Sequence, residues 1–161
     1  MRVVVVSDTH VRRGGRKVLP AAALQQLRRA DAILHAGDVL ERWFLDDLAE
    51  LAPVHAVLGN NDDAGLALPE RLEVELEGVR VGMVHDSGNR TGREARLARS
   101  FPSCDLVVFG HSHIPLDARG RGQRLLNPGS PTDKRAQPRH TLAVLDLADA
   151  KIQKTEIVEL D

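Results

Sequence analysis

Short runs of β-branched and aliphatic residues alternate with stretches of helical spacing through the first third of the chain. Val3-Val4-Val5-Val6 is a continuous apolar run, the pattern of a strand buried on both faces. Residues 18–29 carry Leu24 and Leu27 on an inner stripe and predict a helix. Ala32-Ile33-Leu34-His35 predicts a second buried strand. Leu40, Phe44, Leu48 and Leu51 recur at helical spacing, so a helix is expected over residues 41–51, stopped by Pro53. Residues 54–58 predict a third strand. These β-α-β-α-β steps argue for a mixed sheet with a parallel part, covered by helices.

The pattern then becomes strand-rich. Residues 72–76 and 79–84 flank Glu77-Gly78, a hairpin turn signal. Thr91-Gly92-Arg93-Glu94 has the spacing of a helix capping box, with a short helix expected to follow as far as Ser100. Residues 106–109 read as another buried strand. Two more strand pairs are expected around Gly120-Arg121-Gly122 and Ala148-Asp149-Ala150. No repeat, low-complexity tract or linker interrupts the 161 residues, a length that suits one domain over residues 1–161. The expected architecture is a β-sandwich with helices on its outer faces.

Composition narrows the function classes. Apolar residues make up 42%, and 22 bases against 23 acids leave a formal charge of -1. Disorder is thereby excluded, and no strong non-specific electrostatic partner is implied. A single cysteine, Cys104, excludes a disulfide framework and a zinc site built from several thiolates. Cys104 is expected to be an inert apolar group. No apolar run approaches the ~20 residues that span a bilayer. Met1 leads directly into a strand-like run with no signal peptide, so no membrane partner and a cytoplasmic location are expected. One Trp, three Phe and no Tyr leave little on which to stack bases, and no stable nucleic-acid complex is expected.

The chemistry gathers at strand ends. Five apolar runs finish in Ser7-Asp8-Thr9-His10, His35-Ala36-Gly37-Asp38, Gly59-Asn60-Asn61-Asp62, His85-Asp86 and Gly110-His111-Ser112-His113. In open α/β sheets, ligands collect beyond the carboxyl ends of strands. Asp, Asn and His without Cys suit manganese, iron, nickel, cobalt or zinc. Residues two apart in an extended segment point to one side, so Asp8 and His10 can grip one ion, and His111 and His113 can both face the centre. Gly37, Gly59 and Gly110 precede candidate ligands, where the backbone must turn sharply or approach closely. Seven candidates (Asp8, His10, Asp38, Asn60, His85, His111 and His113) exceed the needs of one ion and suit two, held about 3.5–4 Å apart.

Asp8-x-His10, Gly37-Asp38, Gly59-Asn60, His85 and Gly110-His111-x-His113 resemble, in order, the motif series of the calcineurin-like metallophosphoesterases. Asn127-Pro128-Gly129-Ser130 resembles the short prokaryotic phosphodiesterase branch, which is similar in fold to the small retromer subunit of eukaryotes. The resemblance implies an α/β fold, a four-layer αββα sandwich of two mixed sheets. It implies that Asp8, His10 and His113 hold a first divalent ion, that Asn60, His85 and His111 hold a second, and that Asp38 bridges them. Manganese is expected first, with nickel, iron, cobalt or zinc as alternatives. The implied activity is phosphoester hydrolysis by in-line attack of a bridging hydroxide on a small substrate. Asp38, Asn60 and His111 would act through metal and substrate positioning. Two divalent ions, two aspartates and a hydroxide leave one net positive charge, which matches a phosphodiester monoanion better than a monoester dianion. Arg12, Arg13, Arg16 and Lys17 could supply the further charge a monoester needs. Two other readings stand beside this one: a non-catalytic protein-interaction scaffold on the same fold, and a nuclease.

Two positions depart from the family pattern. Asn61 stands where many members place a His beside the leaving group, and an amide cannot serve as general acid. Asp86 follows His85 where Gly is usual, and is expected to orient His85 or to add negative charge near the second ion. Elsewhere, His35 is expected in the core or behind the ligands, and His55 and His140 outside any site. Asn61, Asp62 and Asp63 read as a polar turn in which Asp62 can bond a ligand imidazole. Residues 127–130 form a turn closing one wall, and Arg119, Arg121 and Arg124 a solvated hairpin. Trp43 and Phe44 belong to the core. Loops 12–17, 62–69 and 86–93 would set specificity.

Overall fold

The computed structural model describes residues 1–161. One sheet contains β1 (Arg2–Val6), β2 (Ala32–His35), β3 (Val54–Ala56), β9 (Thr141–Ala148) and β10 (Lys151–Glu159), in the order β10-β9-β1-β2-β3. The other contains β4 (Arg71–Leu76), β5 (Val79–Val84), β6 (Leu106–Val108), β7 (Leu116–Arg119) and β8 (Arg124–Asn127), in the order β4-β5-β6-β8-β7. Three α-helices, α1 (Ala21–Leu27), α2 (Arg42–Ala49) and α3 (Arg93–Ser100), cover the outer faces.

The layering follows from side-chain alternation along β1. Val3 and Val5 face the space between the sheets, with Leu34, Met83, Val108, Leu126 and Leu145. Val4 and Val6 face the other way, against Ala23 and Leu27 of α1 and Phe44 and Leu48 of α2. On the far side, Val107 and Leu125 pack with Phe109 under Leu97, Phe101 and Cys104. The result is the expected αββα sandwich. Burying one valine contributes about 1.5–3 kcal/mol, so β1 is firmly held where it delivers Asp8 and His10. Burial pushes the Cys104 thiol up to about 11, as suits an inert core group.

Each sheet has a parallel trio, β1-β2-β3 in one and β5-β6-β8 in the other. Their carboxyl ends meet at one edge of the sandwich. All five motifs read from the sequence, and Asn127 at the end of β8, therefore open onto one place.

Several boundaries differ from the periodicity. α1 begins at Ala21, not Val18, because Pro20 disfavours helical geometry at Leu19. β3 ends at Ala56, although Val57 N still donates to His35 O at 3.1 Å. The capping box does not form. Gly92 occupies the N-cap with φ 74° and no side-chain cap is present. Arg96 draws the preceding loop down instead, donating to Ser87 O at 2.7 and 2.9 Å and to Asn89 O at 2.5 Å. The chain thus enters α3 through a left-handed turn that glycine accepts. The three hairpins expected around residues 77–78, 120–122 and 148–150 all form.

Candidate metal centre

Asp8 and His10 leave the end of β1, Asp38 follows β2, Asn60 follows β3, His85 follows β5, and His111 and His113 follow β6. The strand pairing continues into these loops: Asp8 N donates to Gly37 O at 3.0 Å, His10 N to Asp38 O at 3.1 Å, and Gly110 N to His85 O at 2.9 Å. Five of the seven candidates have left-handed backbones: Asp8 (φ 54°), His10 (49°), Asp38 (58°), His111 (67°) and His113 (60°). Such conformations cost non-glycine residues about 1–3 kcal/mol each, and concentrate where side chains must be aimed. Close approach is enforced as well. A Cβ at Gly59 would lie 2.2 Å from Asp38 N, and one at Gly110 would lie 1.9 Å from Ser7 Oγ.

The polar atoms of the candidate ligands converge on one another. His113 Nδ1 donates to Asp133 O, and His85 Nδ1 donates to Ala36 O at 2.7 Å. In the neutral rings those donors leave a lone pair on each Nε2. His113 Nε2 faces Asp8 Oδ1 at 3.4 Å, and His85 Nε2 faces Asp38 Oδ2 at 3.5 Å and Asp8 Oδ1 at 3.8 Å. His10 Nε2 lies 3.3 Å from Asp38 Oδ2 and 4.0 Å from Asp8 Oδ1. Asn60 Oδ1 sits 3.0 Å from both His85 Nε2 and His111 Nδ1. Asp8 Oδ1, His10 Nε2 and His113 Nε2 are buried with no hydrogen-bond partner. Unpaired acceptors facing one another in a dry site are unfavourable, and a cation between them removes the conflict. Two ligand groups, Asp8-His10-His113 and Asp8-Asp38-His85, each place their atoms within 4.8 Å. The donor set therefore fits divalent ions.

Protonation shifts report the same field. Burial lowers the basicity of His85, but its bond to Asp38 and the charge of Asp8 outweigh it and its pKa is raised. His113 behaves alike, with burial opposed by Asp8 and Asp133. For His10, burial prevails over Asp38 and Asp8 and the pKa falls. Burial would raise Asp38, but bonds from His85 and Asn61 hold it well below the carboxylate range.

Several supporting residues escaped the sequence reading. Asn61 grips Asp38 at both oxygens, its N at 2.8 Å and its Nδ2 at 2.7 Å. Asp62 does not touch a ligand imidazole. Its carboxylate accepts backbone N–H groups of Gly59 at 2.6 Å, Leu40 at 2.7 Å and Asp38 at 3.1 Å, tying two ligand loops together. Ser7 Oγ and His111 N donate to Asp8 Oδ2 at 2.7 and 2.9 Å. Ser130 Oγ donates to Asp8 O at 2.8 Å and accepts Asp133 N at 2.8 Å, so residues 127–133 brace the first ligand group as well as closing a wall. The Ser130-x-x-Asp133 spacing signals the local turn but not the bond to Asp8. Asp86 does not orient His85, whose Nδ1 is engaged by Ala36; Asp86 Oδ2 lies 3.9 Å from His111 Nε2. His35 is wholly buried against Thr9 Oγ1 at 3.0 Å, and burial holds its pKa down to about 3. His55 lies in β3, and His140 bonds Asp161 at 2.9 Å. Arg124 pairs with Asp117 at 2.6 Å. Phe44 is core, and Trp43 is partly buried beneath the Arg13 guanidinium at 5.1 Å.

Residues 1–150 match the Calcineurin-like phosphoesterase superfamily domain. The chain belongs to that superfamily. It is 35% identical over 159 residues to a protein of Methanocaldococcus jannaschii named Probable metallophosphoesterase, covering 94% of this chain and 80% of the relative. Two solved structures share the superfamily fold. Vps29 from Entamoeba histolytica, complexed with Zn+2, superposes with a TM-score of 0.77 at 24% identity, covering all of both chains. An archaeal phosphodiesterase superposes with a TM-score of 0.76 at 18% identity, covering 99% of this chain and 100% of its own. Family membership and the donor set together support divalent metal binding by this phosphoesterase. No helix is long and apolar enough to cross a membrane.

Proposed function

We propose that the protein is a dinuclear metal-dependent phosphodiesterase. The observation that carries this reading is Asp38 Oδ2, which stands between His10 Nε2 at 3.3 Å and His85 Nε2 at 3.5 Å. Asp8, His10 and His113 would hold one ion and Asn60, His85 and His111 the other, with Asp38 shared between them. Ions bound there, manganese foremost, would supply a water deprotonated near neutral pH and neutralise charge gathering on the phosphoryl oxygens. The protein's part is placement. Asn61 holds both oxygens of Asp38, and His111 and Asn60 stand at the exposed side, where substrate arrives.

Charge at the site favours a diester. Arg12 is paired with Glu41 at 3.2 Å and with Asp63 at 3.4 Å, and Lys17 with Asp133 at 2.5 Å. Arg13 lies over Trp43. Most of the basic cluster that a dianionic monoester would use is thus already engaged. Asp86 adds negative charge beside His111. Asn61 is an amide with no acidic proton to give a leaving group, so esters of acidic alcohols should react fastest.

Asp38→Asn tests the bridging role. We expect that variant to lose bound metal and turnover together. Full activity with two retained ions would refute the dinuclear assignment. The scaffold reading gains only if the wild-type protein holds no metal.

A further inference from the structure

The two sheets have four edges. β3 offers three residues and β7 four. β4 exposes Glu73 and Glu75, which would oppose each other in self-pairing centred on Val74. The nine-residue β10 is the longest, and it is paired only with β9. A row of unpaired N–H and C=O groups on such an edge is a template for another strand.

The ladder determines which residues are free. Leu160 N donates to His140 O at 2.9 Å, and the register sets Val158 against Leu142, Glu156 against Val144 and Lys154 against Asp146. Alternation along an antiparallel strand then turns the backbone groups of Thr155, Ile157 and Glu159 outward. An antiparallel copy of β10 can bond to these only in registers that pair odd residues with odd residues. A twofold axis at Lys154 or Glu156 would set like charge against like. An axis at Thr155 sets Lys154 of each copy against Glu156 of the other, within the part of β10 that lies beyond the register shift. Lys154 and Glu156 are exposed and already 2.5 Å apart along the strand, so the axis would gather four alternating charges. Opposite charges directly across strands stabilise a pair, and so do facing threonines. Thr155 Oγ1 is buried and has no hydrogen-bond partner within its own chain. The ladder shifts register between Ile152 and Lys154, which makes residues 154–156 the tightest part of such a contact.

We propose that β10 pairs antiparallel with β10 of a second copy about a twofold axis at Thr155, joining two five-stranded sheets into one of ten strands. The pairing is isologous and closed, since each copy consumes the edge it offers. It lies on a different edge from the metal centre and does not depend on it.

Sedimentation of the full chain over a concentration series tests this. A dimer is expected, with or without added manganese. Lys154→Glu creates two acid–acid contacts by symmetry, and should raise the dissociation constant at least tenfold. The double variant Lys154→Glu/Glu156→Lys restores the pairing and should return the constant to near its wild-type value. Thr155→Pro removes an outward N–H at the axis and should leave monomer, with circular dichroism confirming the fold. A wild-type chain that is monomeric at every concentration overturns the proposal. A dimer untouched by Lys154→Glu, or a double variant that fails to recover, overturns this edge or this register.

Discussion

Asp62→Asn probes how the ligand loops are held. Asp62 carries no ligand role here, yet its carboxylate receives three backbone N–H groups, from Gly59, Leu40 and Asp38. Oδ2 serves Gly59 and Asp38, and Oδ1 serves Leu40. An amide in its best orientation keeps an oxygen for the first two and turns an NH2 toward Leu40 N–H. One charge-assisted bond, worth about 1.5–3 kcal/mol, is then lost, and the other two are weakened. A destabilisation of about 3 kcal/mol follows for the metal-free protein. The two loops also lose their common anchor, and a supporting partner of this kind is typically worth about 10–100-fold in metal affinity. Denaturant unfolding of the metal-free protein reads the first effect. Titration against a competing chelator reads the second. A variant within about 0.5 kcal/mol of wild type and with unchanged metal affinity would show that Asp62 is an ordinary turn residue.

Gly110→Ala should be costly despite its small size, since the added Cβ meets Ser7 Oγ at 1.9 Å and Asp8 Oδ2 at 2.7 Å. Overpacking of this kind costs about 1–3 kcal/mol, and reduced metal content in the purified variant would locate the strain at Asp8. The metal-free protein should be most stable near pH 6.5. His35, held by burial at about 3, and His10, also lowered, refuse protons that the unfolded chain accepts below 6.5. Their stability is present above that pH and falls on acidification, by up to about 1.4 kcal/mol per pH unit for each group. His85 and His113 are raised above 6.5, so their contribution is full below that pH and lost as pH rises through their folded values. Unfolding free energies at pH 5, 6.5 and 8 check this, and a profile flat across all three contradicts it.

Much of the fold was legible because β1 and β2 are buried on both faces and read as unbroken apolar runs. The candidate metal centre was legible because each candidate ligand follows such a run, with glycine at the points of closest approach. What escaped is long-range. Asn61 lies 23 residues from the Asp38 carboxylate it clamps, and Ser130 lies 122 residues from Asp8, whose carbonyl it bonds. No local pattern encodes those partners. Thr91-x-x-Glu94 misled for the opposite reason: a correct local signal lost to Arg96, which fixes the loop from within α3. Of the two roles open to Asp86, orienting His85 is excluded and adding negative charge near His111 fits, a choice that sequence adjacency to His85 could not make.

Metal content joined to turnover bears most directly on the central claim. The protein would be purified without chelators, its metals counted, then stripped and reloaded with manganese, nickel, zinc or magnesium. Each form would be assayed on bis(p-nitrophenyl) phosphate and p-nitrophenyl phosphate. About two ions per chain, with restored activity favouring the diester, is the expected result. No tight metal and no turnover with any ion would contradict the account and move the protein to the scaffold reading.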